Sequence, residues 1–398
     1  MSRKRIIVLG CTGSIGVQAL DIARTFRDRL QVVGLAAHRS ASALIEQAHE
    51  FRPEAACLVQ PQAARRACGR MPDGVTLLEG EAGLGELAAL PSADLVVGAV
   101  SGVAGLQPIL SALAAGTDVA LANKEPMVAA GRVVTAEACR TGARLLPVDS
   151  ELSAIFQALQ GEEHDSIERV LLTASGGPFA ELDAAALRDV TSRQALAHPT
   201  WRMGDKVTVD SATLANKGFE VFELRWLFDL RPDQIEVVVH HQSIIHSMVE
   251  FIDGSIIAQM GLPDMRLPIQ YALFWPERVP SDLPRLNLVE AGTLTFAAPD
   301  LDRFPCLRLA FETVREEGTT YPAVLNAANE VAVEAFLAGS IRLTDIPRVS
   351  AAALEHHEPM ADDSLENVLA ADAWAREHAQ AAVSQGAMRA IAESGASG

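Results

Sequence analysis

Residues 5–16, RIIVLGCTGSIG, run from a short apolar stretch through three spaced glycines into the start of an amphipathic segment. The apolar run reads as a buried strand, and the segment from about Ser14 to Arg24 reads as a helix. Gly10, Gly13 and Gly16 are spaced G-x-x-G-x-x-G, a variant of the G-x-G-x-x-G turn that cradles a dinucleotide pyrophosphate. Glycines let the backbone approach the phosphates, and a helix N-terminus offers unpaired N–H groups and a positive dipole end. An ordinary glycine-rich strand-to-helix turn is the competing reading, so the neighbouring strands must decide.

Those neighbours alternate with helical stretches. QVVGLAA (31–37), AACLV (55–59), DLVVGAV (94–100), DVALAN (118–123) and ARLLPV (143–148) are nearly continuous apolar runs. Helical patterns lie between several of them, including ALIEQAHEF (43–51) and LQPILSALAAG (106–116). Apolar strands alternating with helices predict a parallel sheet covered on both faces, a Rossmann-like domain over 1–149. The second strand ends in His38-Arg39-Ser40 rather than in the Asp or Glu that would hold a ribose 2′-hydroxyl. A cation and a hydroxyl suit a 2′-phosphate, which points to NADPH, against a solvated surface arginine as the plain alternative.

After residue 150 the pattern changes. IERVLLTAS, KVTVDSA, EVVVHHQ, IIHSMVEF and GSIIAQMG read as strands, with DGS (253–255) as a hairpin turn. Residues 276–300 are punctuated by proline and read as a linker, and the chain from Cys306 onward has helical periodicity. The expected fold is α/β. It comprises the N-terminal Rossmann-like parallel sheet, a central α+β catalytic domain over 150–275, the linker, and a C-terminal α-helical domain over 301–398.

The 398 residues carry 33 basic and 51 acidic side chains, a formal charge of −18, which argues against a nucleic-acid surface. Five scattered cysteines with no C-x-x-C pair fit a reducing compartment. No apolar run reaches membrane length without a charge or a Gly/Pro break, so a cytoplasmic protein with no membrane partner is expected.

PVDSELSAIFQ (147–157) sets Asp149 and Glu151 around Ser150 directly after the last apolar strand. If the chain is extended there, both acids share a face; otherwise they cap a helix starting near Ala154. LTASGGPF (172–179) ends a strand in Ser175 and two glycines, HPTWRMG (198–204) groups His198 with Trp201 and Met203, and VDSATLANKGFEVFE (209–223) offers Ser211, Asn216, Lys217 and Glu220. Asn216 and Glu220 would be i, i+4 neighbours on a helix. Three carboxylates without a Cys/His cluster suit Mg²⁺ or Mn²⁺ better than zinc. LANKE (121–125) adds Asn123, Lys124 and Glu125 at the C-terminal end of a strand, where ligands bind in open α/β sheets. Taken singly, each group reads as solvated surface or a cap.

Together, TGSIG, LANKE, LPVDSE, SGGPF, HPTWRMG, VDSATLANKG, SIIHSMV, DGSIIAQMG, LTFAAPD and LNAANEVAVEAFL identify the chain as resembling the 1-deoxy-D-xylulose 5-phosphate reductoisomerase family from residue 10 to about 340. The resemblance implies an NADP-dependent oxidoreductase of the methylerythritol phosphate route to isoprenoids. Such an enzyme rearranges and reduces 1-deoxy-D-xylulose 5-phosphate to 2-C-methyl-D-erythritol 4-phosphate. It implies that Asp149, Glu151 and Glu220 bind one divalent ion, Mn²⁺ or Mg²⁺, with Co²⁺ a further candidate. Ser150, Ser175, His198, Ser211, Asn216, Lys217 and Lys124 would face the phosphorylated sugar together with Glu151 and Glu220. Lys124, Glu151, His198 and Glu220 would serve the chemistry. Thr12, Gly13, Ser14, Ile15, His38, Arg39, Ser40, Asn123, Glu125 and Gly204 would contact NADPH. Residues 175–205 would form a mobile lid carrying Trp201 and Met203, and two copies would pair as a homodimer.

The chain departs from that pattern in places. Leu152 stands where the resemblance implies histidine, His38 where it implies glycine, His241 where it implies proline, Pro126 where it implies serine, and Phe219 where it implies leucine. The alternatives are a divergent paralogue reducing another phosphorylated sugar and a catalytically silent NADPH-binding protein.

Overall fold

A computed structural model describes the backbone of residues 3–201 and 203–395, with side chains through residue 385. Arg202 of HPTWRMG and the last three residues of the SGASG end fall outside the described residues. The chain divides into two compact units, one of residues 1–126, 134–156 and 264–284, the other of 127–133, 157–263 and 285–398. This differs from a cut at residue 149 followed by a linker at 276–300. Residues 264–284 supply the helix Arg266–Phe274, and its Ile269, Ala272 and Leu273 are buried in the core of the first unit.

The first unit is built on seven parallel strands: β1 (Lys4–Leu9), β2 (Leu30–Ala37), β3 (Ala55–Leu58), β4 (Thr76–Glu79), β5 (Leu95–Gly98), β6 (Asp118–Leu121) and β7 (Leu145–Pro147). Their order is β4-β3-β2-β1-β5-β6-β7. The chain winds outward from β1 to β4, then crosses back to β5, so the order reverses between β1 and β5. Ligands bind at such a reversal, beyond the carboxyl ends of the strands. Ile6, Ile7, Val8 and Leu9 are fully buried, as are Leu95, Val96 and Val97, which is why these strands read as unbroken apolar runs. β4 escapes that signature because its four residues are only half-buried or exposed.

The second unit has a mixed sheet in the order β11-β10-β8-β9, from β8 (Ile167–Ala174), β9 (Ile235–Val239), β10 (Ile245–Phe251) and β11 (Ile256–Met260). β8 and β9 are parallel, and β10 runs antiparallel to both β8 and β11. The long connection from β8 to β9 carries the helices Asp205–Thr213 and Ala215–Phe228, joined at Leu214 in a left-handed conformation (φ 58°). KVTVDSA (206–212) is therefore helical, not the strand its β-branched residues suggest. Thr208 through Thr213 are all buried, and packing on every side overrides a weak local preference. Asp210 accepts hydrogen bonds from Lys206 Nζ (2.8 Å) and Asn329 Nδ2 (2.8 Å), fastening this helix to the helix Tyr321–Leu337. That last helix packs against Ile346–His356 and Leu365–Gly395 in the expected helical C-terminal part. No described helix is long and apolar enough to cross a membrane.

Candidate active site

The turn after β1 is shaped as a phosphate cradle. Gly10 adopts φ 76°, and a Cβ there would sit 2.2 Å from the carbonyl oxygen of Ala99, just beyond β5. A Cβ on Gly16 would lie 2.2 Å from Gly10 O, so only glycine lets the helix Ser14–Thr25 start this close to the turn. Gly13 is the N-cap and provides no side-chain acceptor, which leaves the helix N-terminus open to an anion. Thr12 and Ile15 are half-buried, and Gly13 and Ser14 are exposed. At the end of β2, His38, Arg39 and Ser40 are all exposed at the carboxyl edge of the same sheet.

Asn123, expected at the cofactor, is 5% exposed, and its amide is engaged inside the first unit. Nδ2 donates to the carbonyls of Val100 and Gly102, and Oδ1 accepts from Glu125 N (3.2 Å). It ties the loop after β5 to the start of the helix Glu125–Thr141, a helix the sequence reading passed over. Beside it, Lys124 Nζ pairs with Asp149 Oδ2 at 2.6 Å, with both side chains largely buried. The helix after β7 begins at Ser150, four residues before the position expected from the apolar pattern. Asp149 therefore stands immediately before the helix and Glu151 within its first turn, rather than on one face of an extended strand. Ser150 donates to Glu151 through its hydroxyl, and its N–H donates to Asp149 Oδ1 (3.2 Å). Leu152 is completely buried, so its side chain serves the core of the helix.

In the second unit, Glu220 is fully buried on the helix Ala215–Phe228. Its Oε2 is paired with Lys217 Nζ (2.6 Å) and its Oε1 accepts from Asn216 Nδ2 (2.6 Å). A carboxylate this deep requires such partners, because an unpaired buried charge costs several kcal/mol. Among the described residues the buried Asn216 Oδ1 has no hydrogen-bond partner, an acceptor left over for a bound donor. Phe219 is buried, with Lys206 Nζ 4.6 Å from its ring centroid, so the larger ring finds a cation to rest against.

His198, Ser175 and Ser211 meet in the same unit. His198 Nε2 lies 3.0 Å from Ser175 Oγ and 3.1 Å from Ser211 Oγ. Its Nδ1 accepts the backbone N–H of Thr200 (3.2 Å) and of Trp201 (3.0 Å). A ring nitrogen that accepts cannot carry a proton, so the proton sits on Nε2 and is offered to the two hydroxyls. Burial, reinforced by the Lys217 ammonium, lowers the His198 pKa to about 4, which keeps the ring neutral near pH 7. Ser175 Oγ also accepts from Gly177 N (3.2 Å). With both lone pairs engaged, the Ser175 O–H hydrogen is left available as a donor. Gly176 (φ 83°) and Gly177 (φ 68°) turn the chain sharply here, in a backbone geometry that favours glycine. The stretch that follows holds two short helical pieces, Ala186–Asp189 and Ser192–Ala195. Trp201 and Met203 are half-buried, Trp201 has its ring 5.9 Å from that of His246, and Gly204 is the N-cap of the helix Asp205–Thr213.

Two sets of contacts were not foreseen by sequence reasoning. The Lys206–Asp210–Asn329 bonds lock the helix that carries Ser211; only the i, i+4 spacing of Lys206 and Asp210 hinted at them. His241 donates from Nδ1 to the Ser175 carbonyl (2.8 Å), a contact from the HHQ tripeptide after β9 that no local pattern announces.

Comparison with known proteins assigns this arrangement to a family. Residues 6–131 match the family model of 1-deoxy-D-xylulose 5-phosphate reductoisomerase. Residues 145–228 match that enzyme's C-terminal domain, and 260–378 match a further DXP reductoisomerase C-terminal domain. The chain is 52% identical over 386 residues to the 1-deoxy-D-xylulose 5-phosphate reductoisomerase of Heliobacterium modesticaldum, covering 96% of this chain and 98% of the relative. With the enzyme of Chlorobaculum tepidum it shares 50% identity over 95% of this chain and 99% of the relative. The solved reductoisomerase of Zymomonas mobilis in complex with NADPH superposes with a TM-score of 0.90 at 40% identity, covering 96% of this chain and 99% of that one. A DOX-P reductoisomerase in complex with NADPH, fosmidomycin and magnesium superposes with a TM-score of 0.92 at 39% identity, over 96% and 98% of the two chains.

Proposed function

The chain belongs to the 1-deoxy-D-xylulose 5-phosphate reductoisomerase family, and from that premise we propose a role for each of its reactive groups. The enzyme carries out the NADPH- and divalent-metal-dependent conversion of 1-deoxy-D-xylulose 5-phosphate to 2-C-methyl-D-erythritol 4-phosphate, in isoprenoid precursor biosynthesis. When bound, the metal supplies a Lewis acid at the ketone and adjoining hydroxyl, and NADPH supplies the hydride.

Asp149, Glu151 and Glu220 are the ligands of that ion, Mg²⁺ or Mn²⁺. Their donor set is all oxygen, which suits a hard cation, and Lys124 and Lys217 pair with Asp149 and Glu220. Asn216 Oδ1, buried and unpartnered, accepts from a sugar hydroxyl. Ser175, Ser211 and His198 receive the phosphate. The single observation that carries this assignment is the tautomer of His198: with Nε2–H donating, both serine oxygens act as acceptors toward the ring and turn their own hydrogens to the ligand. Lys217 adds positive charge beside them, and the remote phosphate orients the reacting end. Ser150 and Lys124 attend the reacting carbons. Thr12, Gly13, Ser14 and Ile15 hold the NADPH pyrophosphate at the open helix N-terminus, while His38, Arg39 and Ser40 take the 2′-phosphate. Glu125 and Gly204 also contact NADPH, and Asn123 acts by fixing the loop after β5. Residues 175–205 close as a lid that excludes water.

The enzyme works as a cytoplasmic homodimer. Five free cysteines, three of them buried, suit a reducing compartment. The edge strand β11 exposes Ile256 (50%) and Ile257 (41%), an apolar edge that a second copy would cover. Purified protein given 1-deoxy-D-xylulose 5-phosphate, Mn²⁺ and NADPH should lose nicotinamide absorbance only when all three are present. No substrate-dependent loss would overturn the reading, and light scattering should report twice the 42.3 kDa chain mass.

A further inference from the structure

His241 is exposed, yet its ring is held on a rigid platform. It lies two residues past the end of β9, and its neighbour His240 is fully buried and fixed from both sides. His240 Nδ1 donates to Thr295 O (2.9 Å), while Nε2 accepts the N–H of Ile244 and of Ile245 (3.2 Å each). His240 N donates to Ala174 O (2.7 Å), the last residue of β8, and Ser243 N donates back to His240 O (3.1 Å). The turn 240–243 is therefore pinned to the strand end from which Ser175 departs.

From that turn His241 Nδ1 donates to the carbonyl of Ser175 at 2.8 Å. A carbonyl only accepts, so Nδ1 carries a hydrogen whether the ring is neutral or charged. The carbonyl belongs to the peptide that leads into Gly176, and the two glycines there are the most permissive backbone in the loop. Fixing the carbonyl fixes the trans peptide plane, and with it the orientation of Ser175, whose hydroxyl is bonded to His198. A Cβ on Gly176 would come within 3.0 Å of His241 Cε1, so the ring also bounds the glycine sterically.

We infer that His241 is a positioning residue for the substrate phosphate. It clamps the Ser175–Gly176 peptide so that the Ser175 hydroxyl is held ready before the ligand arrives. The inference rests on the reading of Ser175 as a phosphate ligand. Without the clamp, two adjacent glycines let the serine wander, and substrate binding must restore the order. Proline at this position has no donor and could not make the bond.

The test compares His241→Ala, His241→Asn and Ser175→Ala in the holoenzyme with Mn²⁺ and NADPH. Asn can place its Nδ2 near the imidazole Nδ1 position and restore the donor. His241→Ala should raise KM for the sugar phosphate about five-fold, the worth of one ordinary hydrogen bond, with kcat and the KM for NADPH unchanged. His241→Asn should recover most of that loss. An unaltered sugar-phosphate KM in His241→Ala, or failure of His241→Asn to rescue, overturns the clamp while Ser175→Ala still raises KM. A drop in kcat and a rise in both KM values together with a lowered melting temperature marks a merely structural contact and also overturns it. If Ser175→Ala leaves KM unmoved, the phosphate reading itself fails.

Discussion

Replacing Glu220 with Gln separates the metal role of this carboxylate from its structural one. In the wild type, Oε2 neutralises Lys217 at 2.6 Å and Oε1 accepts from Asn216 at 2.6 Å. Glutamine has the same shape but no charge, and it can accept on one side only. Its oxygen will go to Lys217, because an ammonium is the stronger donor. Its amide nitrogen then faces Asn216, whose Oδ1 has no partner among the described residues. A simple flip of the Asn216 amide turns that contact into a good bond. The residual cost is the loss of the Glu220 charge beside a buried ammonium (6% exposed). Breaking a buried pair costs about 3–5 kcal/mol, and the retained hydrogen bond puts this case near 3. A loss of that size in a unit this large corresponds to a melting temperature lower by about 6–12 °C. Metal adds a second, independent signal. Mn²⁺ at a hundred times its dissociation constant should stabilise the wild type by about 2.7 kcal/mol. Melting curves of both proteins with and without Mn²⁺, beside the NADPH absorbance assay, read all three effects. The variant should melt lower, show no metal-induced rise, and lack metal-dependent turnover. A metal-induced rise equal to that of the wild type would refute the assignment of Glu220 as a ligand.

Two further outcomes follow from the geometry. Arg39→Ala should raise KM for NADPH by roughly 10- to 100-fold, the loss of one charged hydrogen bond to a 2′-phosphate, and leave KM for NADH unchanged; equal effects on both cofactors would count against a 2′-phosphate contact. His198 titrates near 4 in the folded protein against 6.5 as its ordinary value. As pH falls from 6.5 toward 4 the unfolded chain takes up the proton first, so stability is lost over that window. Discounted for a half-buried ring, the loss amounts to about 1–2 kcal/mol. Urea titrations at pH 7 and pH 4.5 should therefore differ less for His198→Gln than for the wild type, and an identical pH dependence would exclude His198 as the group responsible.

What the sequence discloses tracks how local each determinant is. RIIVLGCTGSIG was legible because the strand, the turn and the helix start that define it are contiguous, and Gly10 and Gly16 are forced by contacts with that same turn and with Ala99. KVTVDSA was misread because its valines and threonine favour a strand locally. What makes it helical is burial of Thr208–Thr213 and the bond from Asn329 to Asp210, across more than a hundred residues. The stretch 264–284 straddles the expected end of the central domain at 275 and the proline-punctuated linker from 276, yet RLPIQYALF carries the i, i+3, i+4 spacing of Ile269, Ala272 and Leu273 that seats it in the first core. The site divides in the same manner. Residue types that suit a metal and a phosphate could be named from motifs alone. Their working state could not, because it depends on which hydrogen each imidazole carries. His198 is protonated on Nε2 because two backbone N–H groups two and three residues on claim Nδ1, whereas His241 is protonated on Nδ1 because a carbonyl 66 residues away claims it. Two imidazoles acting on the same serine, one on its hydroxyl and one on its carbonyl, thus hold it from opposite chemical ends. Only the folded backbone could decide which nitrogen does the holding.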